Sequence, residues 1–153
     1  LVIMGRSSQI DKSIKEPVRE LNLENDVILA GYRIDDYFSV ISAFDVFVMM
    51  RAGSDGTARA LREVMAMGKP AIVSNLGMLP ELVSDGVNGF VVNPEENELA
   101  GRMELLLEDD AKRSSFARDA KKTAIEKWSY HTQAVKMKEF YKKLLSLRSN
   151  SKI

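Results

Sequence analysis

The sequence predicts an α/β fold, a parallel sheet of about five short strands with helices on both faces. Three observations predict it. Apolar runs of four or five residues alternate with longer segments whose apolar positions recur at helical spacing. Those runs are continuous rather than alternating, as expected of parallel strands buried on both faces. Each also ends in a short turn of Gly, Ser, Asn or Asp, the usual punctuation between a strand and the next helix.

Taken in order, Leu1 to Met4 is the first strand, stopped by Gly5, and Gly5-Arg6-Ser7-Ser8 is a loop. Ile10, Ile14, Val18, Leu21 and Leu23 predict one helix, with Pro17 as a break in its middle. Val27 to Ala30 is the second strand, closed by Gly31-Tyr32-Arg33. Asp35 and Asp36 are placed to cap a helix through Tyr37, Val40, Ile41 and Phe44. Val46 to Met50 is the third strand. The run Ser54-Asp55-Gly56-Thr57-Ala58 then opens a helix that stops at Gly68.

Lys69 to Ser74 is the fourth apolar run, and Asn75-Leu76-Gly77 turns the chain out of it. Pro80 suits the first turn of a short helix. Ser84-Asp85-Gly86 and Val87-Asn88-Gly89 lead into a fifth strand, Phe90 to Val92. Glu95 and Glu96 favour a helix start before a segment to about Glu108, with Leu99, Met103, Leu106 and Leu107 inward. Asp109 or Asp110 starts another helix to about Lys127. A last one, about Tyr130 to Leu147, carries Ala134, Met137, Tyr141, Leu144 and Leu145 on one stripe, and residues 149–153 are expected to fray.

With 153 residues, 45% hydrophobic and 29% charged, the chain suits a single domain with one core, spanning 1–148. The absence of Cys excludes a disulfide frame and any Cys-ligated metal. No metal or other cofactor is expected, because the single histidine, His131, has no ligand cluster around it. No apolar run approaches a membrane-spanning length and no signal peptide is visible, which points to the cytoplasm. Residues 112 to 153 hold 12 basic and 3 acidic side chains, whereas residues 1 to 111 hold 10 and 19. That asymmetry suits a solvated helix face, or peripheral contact with anionic lipid at the inner face of a membrane. Without interleaved aromatics it does not suggest nucleic acid.

In a parallel sheet ligands sit at the carboxyl ends of the strands. Gly5, Gly31, the Asp55 loop and the turn at Gly77 all fall at such ends and are expected to line one rim. Gly56 would admit a ligand close to the backbone. The amides of Gly56, Thr57 and Ala58 could hold a diphosphate, with Arg59 adding a charge-assisted contact. Glu63 follows Asp55 by eight residues, on the order of 12 Å along a helix. That is about the distance between the ribose and the hexose of a nucleotide sugar, and carboxylates suit both because they accept hydrogen bonds from paired hydroxyls. Spacing alone equally allows Asp55 to be a helix cap and Glu63 a surface acid favoured by the helix dipole. The loop is neither a P-loop nor a GxGxxG turn. Arg51, Arg59 and Arg62 could bind phosphate together or form surface ion pairs.

Residues 54 to 92 resemble the signature of the retaining GT-B glycosyltransferases of the "glycosyl transferases group 1" type. In this chain an acid, Asp55, is followed after seven residues by Glu63, then by Val64-Met65-Ala66-Met67-Gly68-Lys69-Pro70, a Gly77 turn with Glu81, and Asp85-Gly86-Val87-Asn88-Gly89 before a strand. Leu1 to Gly5 resembles the family's second C-domain strand, Val27 to Tyr32 a later strand and its Gly-Tyr end, and Lys127 to Leu147 its closing aromatic helix. The resemblance implies a Rossmann-like nucleotide-sugar-binding domain, the C-terminal half of a GT-B fold, with the first βα unit and the N-terminal domain lying outside this chain.

By the same resemblance Asp55 approaches the transferred sugar and Gly56, Thr57 and Ala58 meet the phosphates. Glu63 binds the ribose, and backbone near Tyr32, Arg33 and Ile34 meets the base. The implied partners are a nucleoside diphosphate sugar donor and a saccharide or lipid-linked acceptor. The implied reaction is hexosyl transfer with retention in the full-length protein. Other readings are the half of a GT-B-type sugar-nucleotide epimerase, or a non-catalytic nucleotide-binding module. The chain departs from the family in having Asp at position 55 for the usual Glu, Gly56-Thr57-Ala58 for Gly-Phe-Gly, and Met78 for the second Gly of the turn. The family's basic diphosphate-binding pair, an Arg and a Lys from the first βα unit, is not in this sequence, so the isolated chain is expected to be inactive.

Overall fold

In a computed structural model the chain folds into two compact units, Leu1–Ser42 and Ala43–Ile153. Residues 1–51 and 55–150 are described, except for the side chains of residues 55–57 and 148–150. In the first unit β1 (Val2–Met4) pairs in parallel with β2 (Ile28–Gly31), in the register Val2 to Ile28 and Ile3 to Leu29, with an irregularity before Met4. The segment between them starts as a π-helical turn, Asp11–Lys15, and tightens into α1 (Glu16–Glu20). Pro17 lies in the first turn of α1. The chain stays helical through Lys15 and Glu16, so the break expected at Pro17 is instead a change from π to α pitch just before it. The unit closes with α2 (Tyr37–Ser42), shorter than predicted, so Phe44 follows the helix rather than ending it.

The strands here depart from the expected burial on both faces. Val2 is 39% exposed and Ile28 62% exposed, and Leu21 and Leu23 of the helical segment also face solvent. Three residues in one strand and four in the other, with two short helical segments between, supply too little surface to cover both faces of the pair.

In the second unit β3 (Phe47–Met49), β4 (Ala71–Ser74) and β5 (Gly89–Val92) form a parallel sheet in that spatial order, with Phe47 level with Ala71 and Ala71 level with Gly89. β4 lies in the middle and is fully buried, as a continuous apolar run predicts. Its residues alternate between two cores. Ala71 and Val73 join Ala58, Leu61 and Met65 of α3 (Asp55–Ala66), Leu79 and Leu82 of α4 (Leu79–Leu82), and Ala120 and Ala124 of α6 (Asp110–Trp128). Ile72 instead joins Phe90, Val92, Phe116 of α6 and Leu106 of α5 (Glu96–Glu108). This unit is thus a parallel sheet with helices on both faces.

Two local details fix the return strand. Gly89 lies so close to β4 that a Cβ there would stand 2.2 Å from the Ala71 carbonyl oxygen. Asn88, just before it, is buried, accepts from the Ser84 amide at 2.8 Å and donates to the Thr123 hydroxyl of α6 at 3.0 Å. The helix predictions on the polar side also stand. Asp109 caps α6 by accepting from the Lys112 amide at 2.8 Å. Leu106 of α5 is buried, but Leu107, expected inward, is 54% exposed because one residue's step turns it by about 100° around the helix. The last helix, α7 (Tyr130–Asn150), leaves Met137, Tyr141, Leu144 and Leu145 exposed, although they form the predicted stripe. It runs past Leu147; of the tail expected to fray, residues 151–153 lie outside those described. Among the described residues no helix is long and apolar enough to cross a membrane.

Candidate functional site

Parallel pairing puts the carboxyl ends of β3, β4 and β5 on one side of the second unit, and polar side chains lace that edge together. The buried Ser74 hydroxyl, at the end of β4, donates to the Met50 carbonyl at 2.6 Å. It also accepts from the Leu76 amide at 3.3 Å, the first bond of the turn out of β4. Next to it the Asn75 amide donates to the Val92 carbonyl at 2.8 Å, and its side-chain amide donates to Asn93 Oδ1 at 2.7 Å. Glu98, in the first turns of α5, accepts from the Asn93 backbone and side-chain amides at 3.1 and 2.9 Å. The exit of β3, from which the chain runs to α3, is therefore held by β4, and β4 by β5. Sequence reasoning missed Ser74, Asn75 and Glu98, because a Ser closing an apolar run reads only as a strand boundary.

The helix begins at Asp55, so Gly56, Thr57 and Ala58 occupy its first turn, where backbone N–H groups lack intrahelical acceptors. Residues 52–54, which the sequence predicts as a loop, and the side chains of Asp55 and Thr57 lie outside the described residues. Ala58 is fully buried against the core and anchors that turn. One turn further on, Arg59 Nε donates to Glu63 Oε1 at 2.7 Å. The guanidinium that the sequence offered to phosphate thus rests on the neighbouring acid. Glu63 also lines a cavity of about 300 Å³ between α3 and the end of α6, together with Arg59, Arg62, Ala66, Ile125 and Trp128. Trp128, which the sequence suggests as an anchor for the last helix, packs against the core cluster that holds Leu61 and Met65 of α3.

The residues predicted for the base, Tyr32, Arg33 and Ile34, and Gly5 of the predicted rim lie in the first unit. Gly5 ends β1 with φ +138°, a backbone conformation that side chains rarely adopt, and its amide donates to the Gly31 carbonyl at 2.9 Å. Beyond β2, Tyr32 is 60% and Ile34 73% exposed. The Arg6 guanidinium lies 4.8 Å from the centre of the Tyr32 ring. Arg33 donates through Nε to Asp36 Oδ1 at 2.8 Å, and through its terminal nitrogen to Oδ2. That two-point bond holds the Asp36 carboxyl below its ordinary range and the Arg33 guanidinium above its own. Asp36, expected to cap α2, spends its carboxylate on Arg33 instead. Among the described residues no group of three or more His, Cys, Asp or Glu side chains could hold a metal ion.

Short parallel strands flanked by helices define a Rossmann-like α/β class, and likeness to solved glycosyltransferases makes it the C-terminal half of a GT-B fold. The structure superimposes on Anabaena HepE, solved in complex with UDP-glucose, with a TM-score of 0.80 and 27% identity over 93% of this chain and 40% of that one. The family described as glycosyl transferases group 1 matches residues 1–123, and the chain belongs to that family. Among curated relatives, an uncharacterized glycosyltransferase of Methanocaldococcus jannaschii is 29% identical over 144 residues, which is 93% of this chain and 36% of the relative. Spore coat protein SA of Bacillus subtilis (strain 168) is 32% identical over 101 residues, 65% of this chain and 27% of the relative. The chain thus spans well under half the length of each.

Proposed function

We propose that this chain is the donor-binding domain of a retaining glycosyltransferase, moving a hexosyl group from a nucleoside diphosphate sugar to a saccharide or lipid-linked acceptor. The observation that carries the reading is the run from Asp55 to Glu63. It opens α3, the helix that follows β3 in the chain, in a family described as glycosyl transferases group 1. The complex of HepE with UDP-glucose supports a nucleotide sugar as the donor. In this reading the first-turn amides of Gly56, Thr57 and Ala58 hold the diphosphate by backbone N–H groups and the positive end of the helix dipole. Glu63 takes the ribose hydroxyls, and Asp55 faces the transferred sugar. The assignment of Tyr32, Arg33 and Ile34 to the base, and of Gly5 to donor binding, rests on the resemblance to the family. The chemistry is departure of the nucleoside diphosphate on the face that the acceptor attacks, with the growing negative charge stabilised by donors already in place.

Calorimetric titration of the full chain with UDP, GDP and ADP tests the binding half of this proposal. One nucleotide is expected to bind more tightly than the others, and no heat with any of the three at millimolar concentration, with this chain and with the full-length enzyme alike, would overturn it. For the chemistry, Asp55→Asn in the full-length enzyme is expected to lower turnover by about a hundredfold, the scale typical of losing one preorganised group, with far less effect on nucleotide affinity. Turnover at the wild-type rate would return Asp55 to the role of a helix-terminal acid.

A further inference from the structure

Between the two acids stands a residue that the family resemblance leaves without a role, Arg59. Its Nε donates to Glu63 Oε1 at 2.7 Å, and the two side chains differ sharply in exposure, 76% for Arg59 and 22% for Glu63. Both residues line the cavity with Arg62, Ala66, Ala124, Ile125, Trp128 and Ser129, and the carboxylate is the more buried of the two. Helix stabilisation is a poor explanation of the pair. An acid four residues before a base strengthens a helix more than the reverse order found here, and exposed pairs of this kind contribute little. What the contact does accomplish is orientation. A glutamate has three side-chain torsions, and a charge-assisted bond to a carboxylate that is already mostly buried restricts them.

We infer that Arg59 is a positioning residue for nucleotide recognition: it keeps the Glu63 carboxylate aimed, so that the ribose diol meets an acceptor already in place. The inference rests on the proposed contact between Glu63 and ribose. It differs from the direct phosphate contact first expected of Arg59, because an Arg acting through Glu63 affects the nucleoside and its diphosphate alike, whereas a phosphate ligand affects only the diphosphate. Preorganisation lowers the cost of binding without adding a contact to the ligand, so its effect must vanish when the oriented group is removed.

The test is a double-mutant cycle on the full chain, read by calorimetry and ligand-observed NMR. The probes are whichever of UDP, GDP and ADP binds most tightly and its parent nucleoside. Arg59→Gln is expected to weaken both probes by the same factor, about three- to tenfold, the range of one modest hydrogen-bonding effect. Arg59→Lys should recover part of that loss, because a cation is restored beside Glu63. The double variant Arg59→Gln/Glu63→Gln should bind no more weakly than Glu63→Gln alone, with thermal melts establishing that all variants fold. A loss confined to the diphosphate, or losses that multiply in the double variant, would make Arg59 a phosphate ligand and overturn the inference while leaving the ribose contact standing. Wild-type affinity in Glu63→Gln would remove the ribose contact itself, and the role of Arg59 with it.

Discussion

Arg33 and Asp36 show how one pair of charges shapes the stretch assigned to the base. Their two-point hydrogen bond spans three residues and ties the turn after β2 to the start of α2. The Arg33 bond lowers the Asp36 carboxyl from its ordinary value of 3.8. A depressed folded value means that the pair's contribution is present above the ordinary carboxylate value and fades as pH falls through the lower folded one. We expect the amide resonances of residues 33 to 36 to titrate with a midpoint below 3.8, and Asp36→Asn to abolish the transition. A midpoint at or above that value would show the pair to be absent in solution. The sequence made these two residues candidates but for other tasks, Asp36 for capping and Arg33 for supplying backbone. Both side chains are long enough to satisfy each other locally, and residue-type preferences do not rank such competing local partners.

The informative element is β5 with the turn before it. The run from Asp85 to Gly89 was legible as a turn before a strand, and in the structure each part of it has a physical task. Asp85 Oδ1 accepts from the Val91 amide at 2.9 Å, Asn88 bridges Ser84 and Thr123, and Gly89 lets β5 lie against β4. Gly89→Ala would put a methyl group 2.2 Å from a backbone oxygen and 2.9 Å from the Val83 side chain. Backbone cannot yield as a flexible side chain can, so a loss of about 3 kcal/mol or more is expected, read as a lower urea midpoint at an unchanged slope. A loss below about 0.5 kcal/mol would mean that β5 pairs less closely than described. Such a turn helps the site at a distance, since β5 steadies the β4 edge that holds Met50.

Across the molecule, burial is uneven, and stability should follow it. β4 is buried along its whole length, whereas β1 and β2 carry exposed apolar side chains and α7 presents a largely exposed apolar stripe. Native-state hydrogen exchange should therefore be slowest for the β4 amides and faster by at least about tenfold in β1 and β2. Equal protection in all five strands would refute this gradient.

The sequence by itself determined the strand and helix order, the two-faced burial of β4, and the Asp55 to Glu63 run with its family. Those properties depend on local periodicity, turn residues and short motifs, which a linear chain carries in full. Only the tertiary structure decided that Arg59 lies on Glu63, that Ser74 ties β4 to the end of β3, that Trp128 meets the α3 core, and that Leu107 and the α7 stripe stay exposed. Each of these depends on which groups compete for one partner, or on how much surface the neighbouring elements can cover, and neither is written in the spacing of residues along one segment.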